Sequence, residues 1–537
     1  MQHTSSNGKT DHTTSLFKKQ LPRNALMKGM SFGTALLVGL LFVPFLVNSL
    51  GSAAFGFIAL AAVLTQYAST ISTCISKAVA RYLTMEMHKP GGNPMEVFNS
   101  ALLLFCIVMV VQTPLFVLAI TFADTIFTIP APLLEDCIIL FSCSALAFVF
   151  TLPTGVFAVS SFAKNRVDVS EAISLGRVLL RPTLVVSLFY IAGPHLRYVG
   201  YVDLLIAFLL LVANIVSWRV LTPELRLHPS VAKLAKFKPI LGMSLWILIN
   251  YLGTLLYLRT DIWIANRFIS PDAAGQFSAL TQWNLLLRAS GETLALLTAP
   301  MVMIYCAAGK EKQMGRIVST AMKIMTSILA IPIAIIVVFG SEIVSIWIGP
   351  EYSGFNAILA IVVIHIIVNE GVSPLFQIQA AKNKVRLPAL MTMGMGLLNV
   401  AVALVVVGYF KCGLMGLAIT GAVVLTLKNA VFTPWYAAHF LGIPLGTFYK
   451  PLVSGTLLMC ACMLVSCAIK WAFHPTSVVG LAIVGIVMGL LGSCGLWFAV
   501  LDDHERKHII DLVPERLRPL VSHILRRPHG PEKHLLP

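Results

Sequence analysis

The sequence predicts an all-α polytopic membrane protein with fourteen transmembrane helices. Of its 537 residues, 57% are hydrophobic and 12% are charged, whereas roughly 25% charged residues are usual in soluble domains. The apolar residues form runs of about 20 residues or more, which is the length that crosses a bilayer. The loops between these runs are short. Soluble enzymes, secreted disulfide-rich domains and disordered regulators are therefore excluded, and no loop is large enough to fold as a catalytic domain.

Fourteen apolar segments account for most of the chain, and each is long enough to span the membrane as a helix. In chain order the predicted spans are residues 28–50, 54–80, 96–122, 133–160, 169–193, 197–220, 240–266, 273–302, 316–340, 354–381, 388–409, 413–438, 448–470 and 476–501. Residues 1–27 form a polar N-terminal tail and residues 503–537 a basic C-terminal tail. Apolar residues at helical spacing over 503–528 fit either an interfacial helix, broken by Pro514 and Pro519, or a simple charged tail.

Basic residues are distributed unevenly between the two sides of the membrane. With a cytoplasmic N-terminus, 30 of the 39 Lys and Arg residues lie in inside segments or at the inner ends of spans, four lie in outside loops or at the outer ends of spans, and five lie deeper within spans. Cytoplasmic loops of membrane proteins carry such an excess. The distribution predicts that both termini are cytoplasmic. It also accounts for the net charge of +16 without a nucleic-acid partner.

The chain matches itself at an offset near 220 residues. Residues 53–60 align with residues 273–280, and residues 163–167 align with residues 381–385. Because the offset covers six spans, the two copies insert with the same orientation, as a parallel repeat. We therefore predict an N-lobe over residues 28–228 (spans 1–6) and a C-lobe over residues 229–445 (spans 7–12). Two extra C-terminal helices, spans 13 and 14, follow over residues 446–502.

Charged residues within the predicted spans are mostly basic. An ionisable residue at the centre of the bilayer costs about 2.5–3.5 kcal/mol on insertion scales, and it normally faces a bundle interior or a wet cavity. The excess of positive charge favours an anionic ligand such as a phosphate or diphosphate, for which arginine has bidentate geometry. The candidate anion-binding residues are Arg177, Arg181, Arg288, Lys428 and Arg259; the acidic candidates within the spans are Asp261, Glu292 and Glu370.

Structural roles are open for several of these residues. Arg288 and Glu292 are four residues apart and could pair with each other. Arg259 could extend to the outer interface. Arg181 and Lys428 could instead form buried pairs with Glu370 or Asp261. His365, on one face of span 10 with Asn369, is interpreted as a hydrogen-bonded interior histidine.

Polar stripes run along three spans at helical spacing. They predict a water-filled cleft between the lobes, because polar groups in the bilayer normally face water or protein. The residues expected to line this cleft are Gln66, Ser69 and Thr73 of span 2, Asn250 and Tyr257 of span 7, and Thr281 and Asn284 of span 8. No cysteine or histidine spacing indicates a metal site, so we expect no metal. We also expect no cofactor and no catalytic residue.

Two segments resemble the bacterial polysaccharide transporter family, which includes the O-antigen flippases. The first is Leu50-Gly51-Ser52-Ala53-Ala54-Phe55-Gly56, which leads into a span that ends Ala80-Arg81-Tyr82-Leu83. The second is Asp261-Ile262-Trp263-Ile264-Ala265-Asn266, followed by Ser270-Pro271-Asp272-Ala273-Ala274-Gly275-Gln276-Phe277. The family belongs to the superfamily of multidrug, oligosaccharidyl-lipid and polysaccharide exporters. The usual tyrosine after Gly275 is replaced by Phe277, so that position has no expected polar role.

The resemblance implies a flippase that moves a polyprenyl-diphosphate-linked oligosaccharide across the bacterial inner membrane by alternating access. The cargo would serve O-antigen, capsule or exopolysaccharide synthesis. Spans 1, 2, 7 and 8 would line a cationic cleft. Coupling to H⁺ or Na⁺ through Asp261, Glu292 or Glu370 is a hypothesis, as is contact with other polysaccharide-assembly membrane proteins.

Two other functions compete with this interpretation. An ion-coupled multidrug or small-molecule antiporter of the same superfamily would have an acidic cavity and usually twelve spans. An integral-membrane glycan-processing enzyme would need a sizeable outer loop or catalytic carboxylates at the membrane edge. Among outer-loop residues only Asp124, Glu135 and Asp136 are candidates for such carboxylates, and they are interpreted as a solvated loop.

Overall fold

The computed structural model describes residues 7–503 and 505–506, and all regular elements within these residues are helices. Thirteen of them are long and apolar enough to cross a membrane, and a bent pair of helices makes a fourteenth span. The prediction of an all-α polytopic membrane protein is therefore confirmed. The predicted C-terminal tail lies outside the described residues, apart from its first turn.

The spans are numbered α1 to α14 in chain order. Their bounds are α1 Leu26–Leu50, α2 Ser52–Met87, α3 Pro94–Thr121, α4 Ala131–Ala163, α5 Val167–Ala192, α6 Leu196–Leu221, α7 Leu234–Gly242 with Ser244–Phe268, α8 Pro271–Ala307, α9 Glu311–Val338, α10 Pro350–Ala381, α11 Arg386–Tyr409, α12 Gly413–Leu441, α13 Gly446–Ala472 and α14 Val478–Val500. The helix that contains α1 begins earlier, at Asn7.

Local sequence signals fix the ends of several spans. Gly51 adopts a φ of 83° and forms the one-residue turn between α1 and α2, a conformation in which glycine carries no steric cost. The side chain of Asn93 caps α3 by accepting a hydrogen bond from the Glu96 amide, and Pro94 follows at the first helical position. Gly442 ends the helix of α12 in the left-handed conformation.

Three spans are irregular near their charged residues. The helix of α7 is interrupted at Arg259, between Phe237–Leu258 and Thr260–Phe268. The helix of α10 is interrupted at His365 and again at Val372. In α12, Lys428–Phe432 form a π-helical segment, a rare conformation that is frequent at functional sites.

The chain folds into two compact units with separate apolar cores. The first contains residues 1–282 and 386–421, and the second contains residues 283–385 and 422–537. In the first unit, Trp218 packs against Phe98 and Phe157 with ring centroids 5.5 and 5.0 Å apart. In the second, Met322 and Phe448 are fully buried in one cluster. The boundaries of these compact units differ from those predicted for the N-lobe and the C-lobe. The lobe boundaries stay a prediction.

Equivalent loops of the repeat have the same backbone conformation. Asn165 and Asn383 both have a φ of 55°, and asparagine is among the few residues that tolerate the left-handed region. After each of them, a backbone amide bonds back five residues to close the helix end: Arg166 to Ser161 at 2.7 Å, and Lys384 to Gln379 at 2.8 Å. This match at an offset of 218 residues supports the repeat.

Helices α2 and α8, which are equivalent under the repeat, meet at their first turns within the first unit. A Cβ atom added to Gly275 would lie 1.8 Å from the Ser52 carbonyl oxygen, and one added to Gly56 would lie 2.9 Å from the Gly275 amide nitrogen. The Ser52 hydroxyl donates to the Asp272 carboxylate, its counterpart 220 residues later. The missing side chains at Gly56 and Gly275 therefore allow this backbone contact.

We predict that Gly275→Ala destabilises the protein by about 1–3 kcal/mol, because the new methyl group meets backbone that cannot move aside. Thermal melting of the detergent-purified protein, followed by size-exclusion chromatography, measures the change. Gly176→Ala is the matched control, since nothing lies within 4 Å of a Cβ atom there. Equal melting temperatures for the two variants would contradict the close contact.

Candidate functional site

Arg181 of α5 forms a bidentate ion pair with Asp203 of α6. Its Nε and Nη2 atoms lie 2.5 and 3.0 Å from the two carboxylate oxygens. The suggested partners of Arg181, Glu370 and Asp261, are therefore wrong. Asp203 was missed by the sequence analysis, although a carboxylate inside an apolar span was a signal for it.

Arg177 lies one helical turn from Arg181 and is exposed. No hydrogen bond or ion pair of its guanidinium is found within the described residues. Because Arg181 already has a carboxylate partner, Arg177 is the arginine of α5 that is available for another anion. Arg177 and Arg181 thus lie one turn apart on the same helix, but only Arg181 has a carboxylate partner in the described structure.

Arg288 of α8 is held by two groups within the second unit. Its Nη1 atom lies 2.8 Å from Glu370 Oε1, and its Nε atom donates to Asn284 Oδ1 at 2.8 Å. The other carboxylate oxygen of Glu370 accepts from the Ser373 hydroxyl at 2.9 Å, across the second break of α10. Arg288 and Glu370 are nearly buried, whereas Glu292 is exposed. The predicted pairing of Arg288 with Glu292 is wrong.

A chain of amide and imidazole groups joins α8, α10 and α12 beside this ion pair. Asn284 donates to the Val362 carbonyl at 2.6 Å. Asn369 lies 2.7 Å from His365 Nδ1 and accepts from the Asn429 amide at 2.8 Å. The interpretation of His365 as a hydrogen-bonded interior histidine is confirmed. The network fixes the broken helix of α10 against its neighbours.

Lys428 has no carboxylate partner within the part of the chain that the structure describes. It is 7% exposed and lies in the π-helical segment of α12. Its ammonium lies 5.2 Å from the centroid of the Phe376 ring, which gives it a cation–π contact. The suggested pairing of Lys428 with Glu370 or Asp261 is not found: Glu370 pairs with Arg288, and Asp261 accepts a hydrogen bond from Asn399.

Asp261 is a buried carboxylate without a basic partner among the described residues. It is 7% exposed and accepts a hydrogen bond from Asn399 of α11 at 3.4 Å. It lies two residues after the break of α7 at Arg259, whose half-buried guanidinium has no partner within the described ranges. This segment therefore combines an unpaired acid and an unpaired base at one interruption of the helix.

The predicted polar stripes form mainly local hydrogen bonds. Ser69, Thr73 and Thr281 donate to carbonyl groups of their own helices at 2.9–3.1 Å. The Tyr257 hydroxyl is buried without a hydrogen-bond partner in the described structure. A role of Gln66, Asn250 and the other stripe residues in lining a cleft stays a prediction.

Lys77 of α2, which the sequence analysis left out of its site residues, contacts α7. Its ammonium donates to the Tyr251 hydroxyl at 2.5 Å and lies 4.6 Å from the centroid of the same ring. Both side chains are exposed. The only sequence signal for Lys77 was its place at the end of the polar stripe of α2.

Ion pairs hold the two equivalent loops of the repeat. Arg166 pairs with Asp168 at 2.9 Å, and Lys382 pairs with Glu311. The hydrogen bond to Asp168 is the main cause that raises the pKa of Arg166, and the hydrogen bond to Glu311 raises the pKa of Lys382. Both loops therefore keep their positive charge at any physiological pH.

The sequence of this chain is similar to a known protein family and to a bacterial membrane protein. The profile of the family described as Polysaccharide biosynthesis protein matches residues 21–290. The uncharacterized membrane protein EpsK of Bacillus subtilis (strain 168) is 26% identical over 473 residues, which are 87% of this chain and 93% of EpsK.

Two solved structures show the same fold. The lipid II flippase MurJ, in an inward closed conformation, matches with a TM-score of 0.66 at 11% identity, over 88% of this chain and 98% of MurJ. An inward-facing multidrug resistance MATE transporter of the MOP superfamily matches with a TM-score of 0.58 at 15% identity, over 78% of this chain and 94% of that transporter.

The fold and the family together define a multi-pass membrane protein associated with polysaccharide synthesis. The chain belongs to the polysaccharide biosynthesis protein family. The resemblance on which the sequence analysis relied is therefore confirmed.

We predict that Asp203→Asn lowers the free energy of unfolding by roughly 1.5–3 kcal/mol, because Arg181 loses its charged hydrogen-bond partner. Denaturant titration in mixed micelles measures the loss. In the Arg181→Gln/Asp203→Asn double variant, we expect a smaller loss than the sum of the two single variants. Additive losses within about 0.5 kcal/mol would show that the pair does not couple.

Proposed function

We propose that the protein is a flippase for polyprenyl-diphosphate-linked oligosaccharide, which it moves from the cytoplasmic to the outer leaflet of a bacterial inner membrane. The observation that carries this proposal is that three of the candidate basic residues have no acidic partner in the described structure. They are Arg177, Arg259 and Lys428.

An unpaired basic residue is energetically costly in the bilayer, so these residues favour an anionic cargo. A basic residue inside a span costs about 2.5–3.5 kcal/mol on insertion scales unless water or an anion compensates it. A diphosphate supplies two adjacent anionic groups, and a guanidinium can bind a phosphate with two parallel hydrogen bonds. A cationic cargo would instead be repelled by such residues, and the repulsion is strong where the dielectric constant is low.

The ion pairs divide the candidate residues into two groups. Arg177 is proposed to contact the diphosphate directly, since its guanidinium has no other anion. Arg181 and Arg288, held by Asp203 and Glu370, are proposed to keep their helices in place. Arg259 in the first unit and Lys428 in the second are each proposed to attract the anionic group of the cargo, each within its own unit.

The remaining parts of the mechanism follow the family resemblance. The polar stripes are proposed to hold the sugars, while the prenyl chain stays in lipid. Alternating access is proposed to use the interrupted spans α7 and α10, since helix breaks are points where short helices can reorient. Both termini are proposed to be cytoplasmic, as the distribution of basic residues predicts.

One observation favours an ion-coupled mechanism, and with it the antiporter alternative. Asp261 is buried without a basic partner in the described residues, so a proton or a sodium ion could compensate its charge. Glu370 is already paired with Arg288, and Glu292 is exposed. Of the three predicted coupling residues, Asp261 is therefore the one that we propose as an ion carrier.

We predict that Arg177→Gln abolishes transport of a fluorescent polyprenyl-diphosphate glycan in proteoliposomes, because the only proposed direct arginine contact of α5 is lost. Membrane-impermeant quenching of the label measures translocation. Arg267→Gln removes an equal charge from an exposed position at the end of α7 and should transport normally. Both variants should elute as folded protein.

Two results would overturn this proposal. The first is transport by Arg177→Gln at the wild-type rate. The second is uptake of cationic dyes by proteoliposomes that do not move the glycan lipid, which would select the antiporter.

A further inference from the structure

A cavity of about 340 Å³ lies between α1 and α5, at the end of these helices that the basic residues assign to the cytoplasmic side. Arg23 of the helix that continues into α1 contributes one wall, and Arg166 and Asp168 at the start of α5 contribute another. The whole cavity belongs to the first compact unit. None of its residues was among the predicted site residues.

The polar end of the cavity has a net positive charge. Arg166 binds both carboxylate oxygens of Asp168, at 2.9 and 3.2 Å, and Arg23 Nη2 lies 3.2 Å from the same carboxylate. Two guanidinium groups thus share one carboxylate. Since each guanidinium has five N–H donors, several remain for a second anion. Arg23 is 68% exposed and can turn towards it.

The frame of the cavity is already formed. The Asn24 side chain accepts a hydrogen bond from the Asp168 amide at 3.1 Å and donates to the Asn165 carbonyl at 3.2 Å. These bonds fix α1 against the loop between α4 and α5. A ligand would therefore lose little of its binding energy to ordering the protein.

The rest of the cavity is apolar. Its walls below the arginines are formed by Met27, Val169 and Ile173. A soluble phosphate would gain nothing from these side chains, whereas a lipid would place its phosphate at the arginines and its hydrocarbon chain along them. Basic pockets between spans on the cytoplasmic side suit such head groups.

We propose that this cavity binds the phosphate group of a lipid in the cytoplasmic leaflet. The phosphate could belong to an anionic phospholipid or to a polyprenyl diphosphate. Arg177 follows Ile173 by four residues on the same face of α5, about 6 Å further along the helix. The cavity thus lies at the start of a row of basic residues, but lipid binding here does not depend on the proposed transport.

The test is lipid titration of the purified full chain in detergent, read by native mass spectrometry. The three probes are phosphatidylglycerol, polyprenyl diphosphate and inorganic phosphate. We expect Arg23→Gln to weaken binding of at least one of the two lipids about fivefold, the effect of one basic residue near a lipid surface. Ala172→Trp, which fills the cavity without changing charge, should weaken it as well.

Arg316→Gln is the matched control, because it removes an exposed arginine from the same predicted side of the membrane, outside the cavity. Preference for either lipid identifies the source of the phosphate and supports the proposal. Equal lipid binding by the wild type and by both cavity variants would overturn the proposal. An equal loss of lipid binding in Arg316→Gln would also overturn it, as would binding of inorganic phosphate as strong as that of lipid. Because binding is read without transport, failure here is separable from failure of the flippase proposal.

Discussion

Compensation of charge inside the bilayer is the constraint on which this structure depends. A single unpaired ion in a span is costly, yet the described spans contain several basic and acidic residues. Two arginines meet the constraint through ion pairs between neighbouring helices, Arg181 with Asp203 and Arg288 with Glu370. Each pair joins two spans of one unit, so it also fixes how these helices pack. The residues left without a counter-ion are then the chemically distinctive ones.

In three spans, irregular backbone occurs beside a charged residue. In a membrane, backbone outside a regular helix is tolerated where it is buried in protein or lines a water-filled space. The interruption of α7 adjoins Asp261, the second interruption of α10 adjoins Glu370, and the π-helical segment of α12 begins at Lys428. Side chains such as Ser373 and Asn429 then form hydrogen bonds at these positions. In these three spans, a charged residue and a point where the helix can bend therefore lie together.

The sequence predicted the spans well because hydrophobic length is a local property. The ends of α5, for example, fell within two residues of those observed. The partners of the charged residues could not be predicted in the same way. Helical spacing suggested Glu292 for Arg288, but Glu370 lies on another span, and only packing brings it within 2.8 Å. Asp203 could have been found as a carboxylate inside an apolar span, but nothing near it in the chain marks its contact with Arg181. The helix break at Arg259 could not be predicted either, because no proline lies there.

The matching loop ends at Asn165 and Asn383 bear on how such a chain could arise. An ancestral gene for six helices has both ends of its product on one side of the membrane. Joining two such genes head to tail therefore requires no inversion of either copy and no extra crossing segment. After duplication the two copies are free to diverge in their side chains, as Arg166 and Lys384 have done. The left-handed asparagine that closes the helix end has stayed the same in both copies, because few other residues adopt this conformation at low cost.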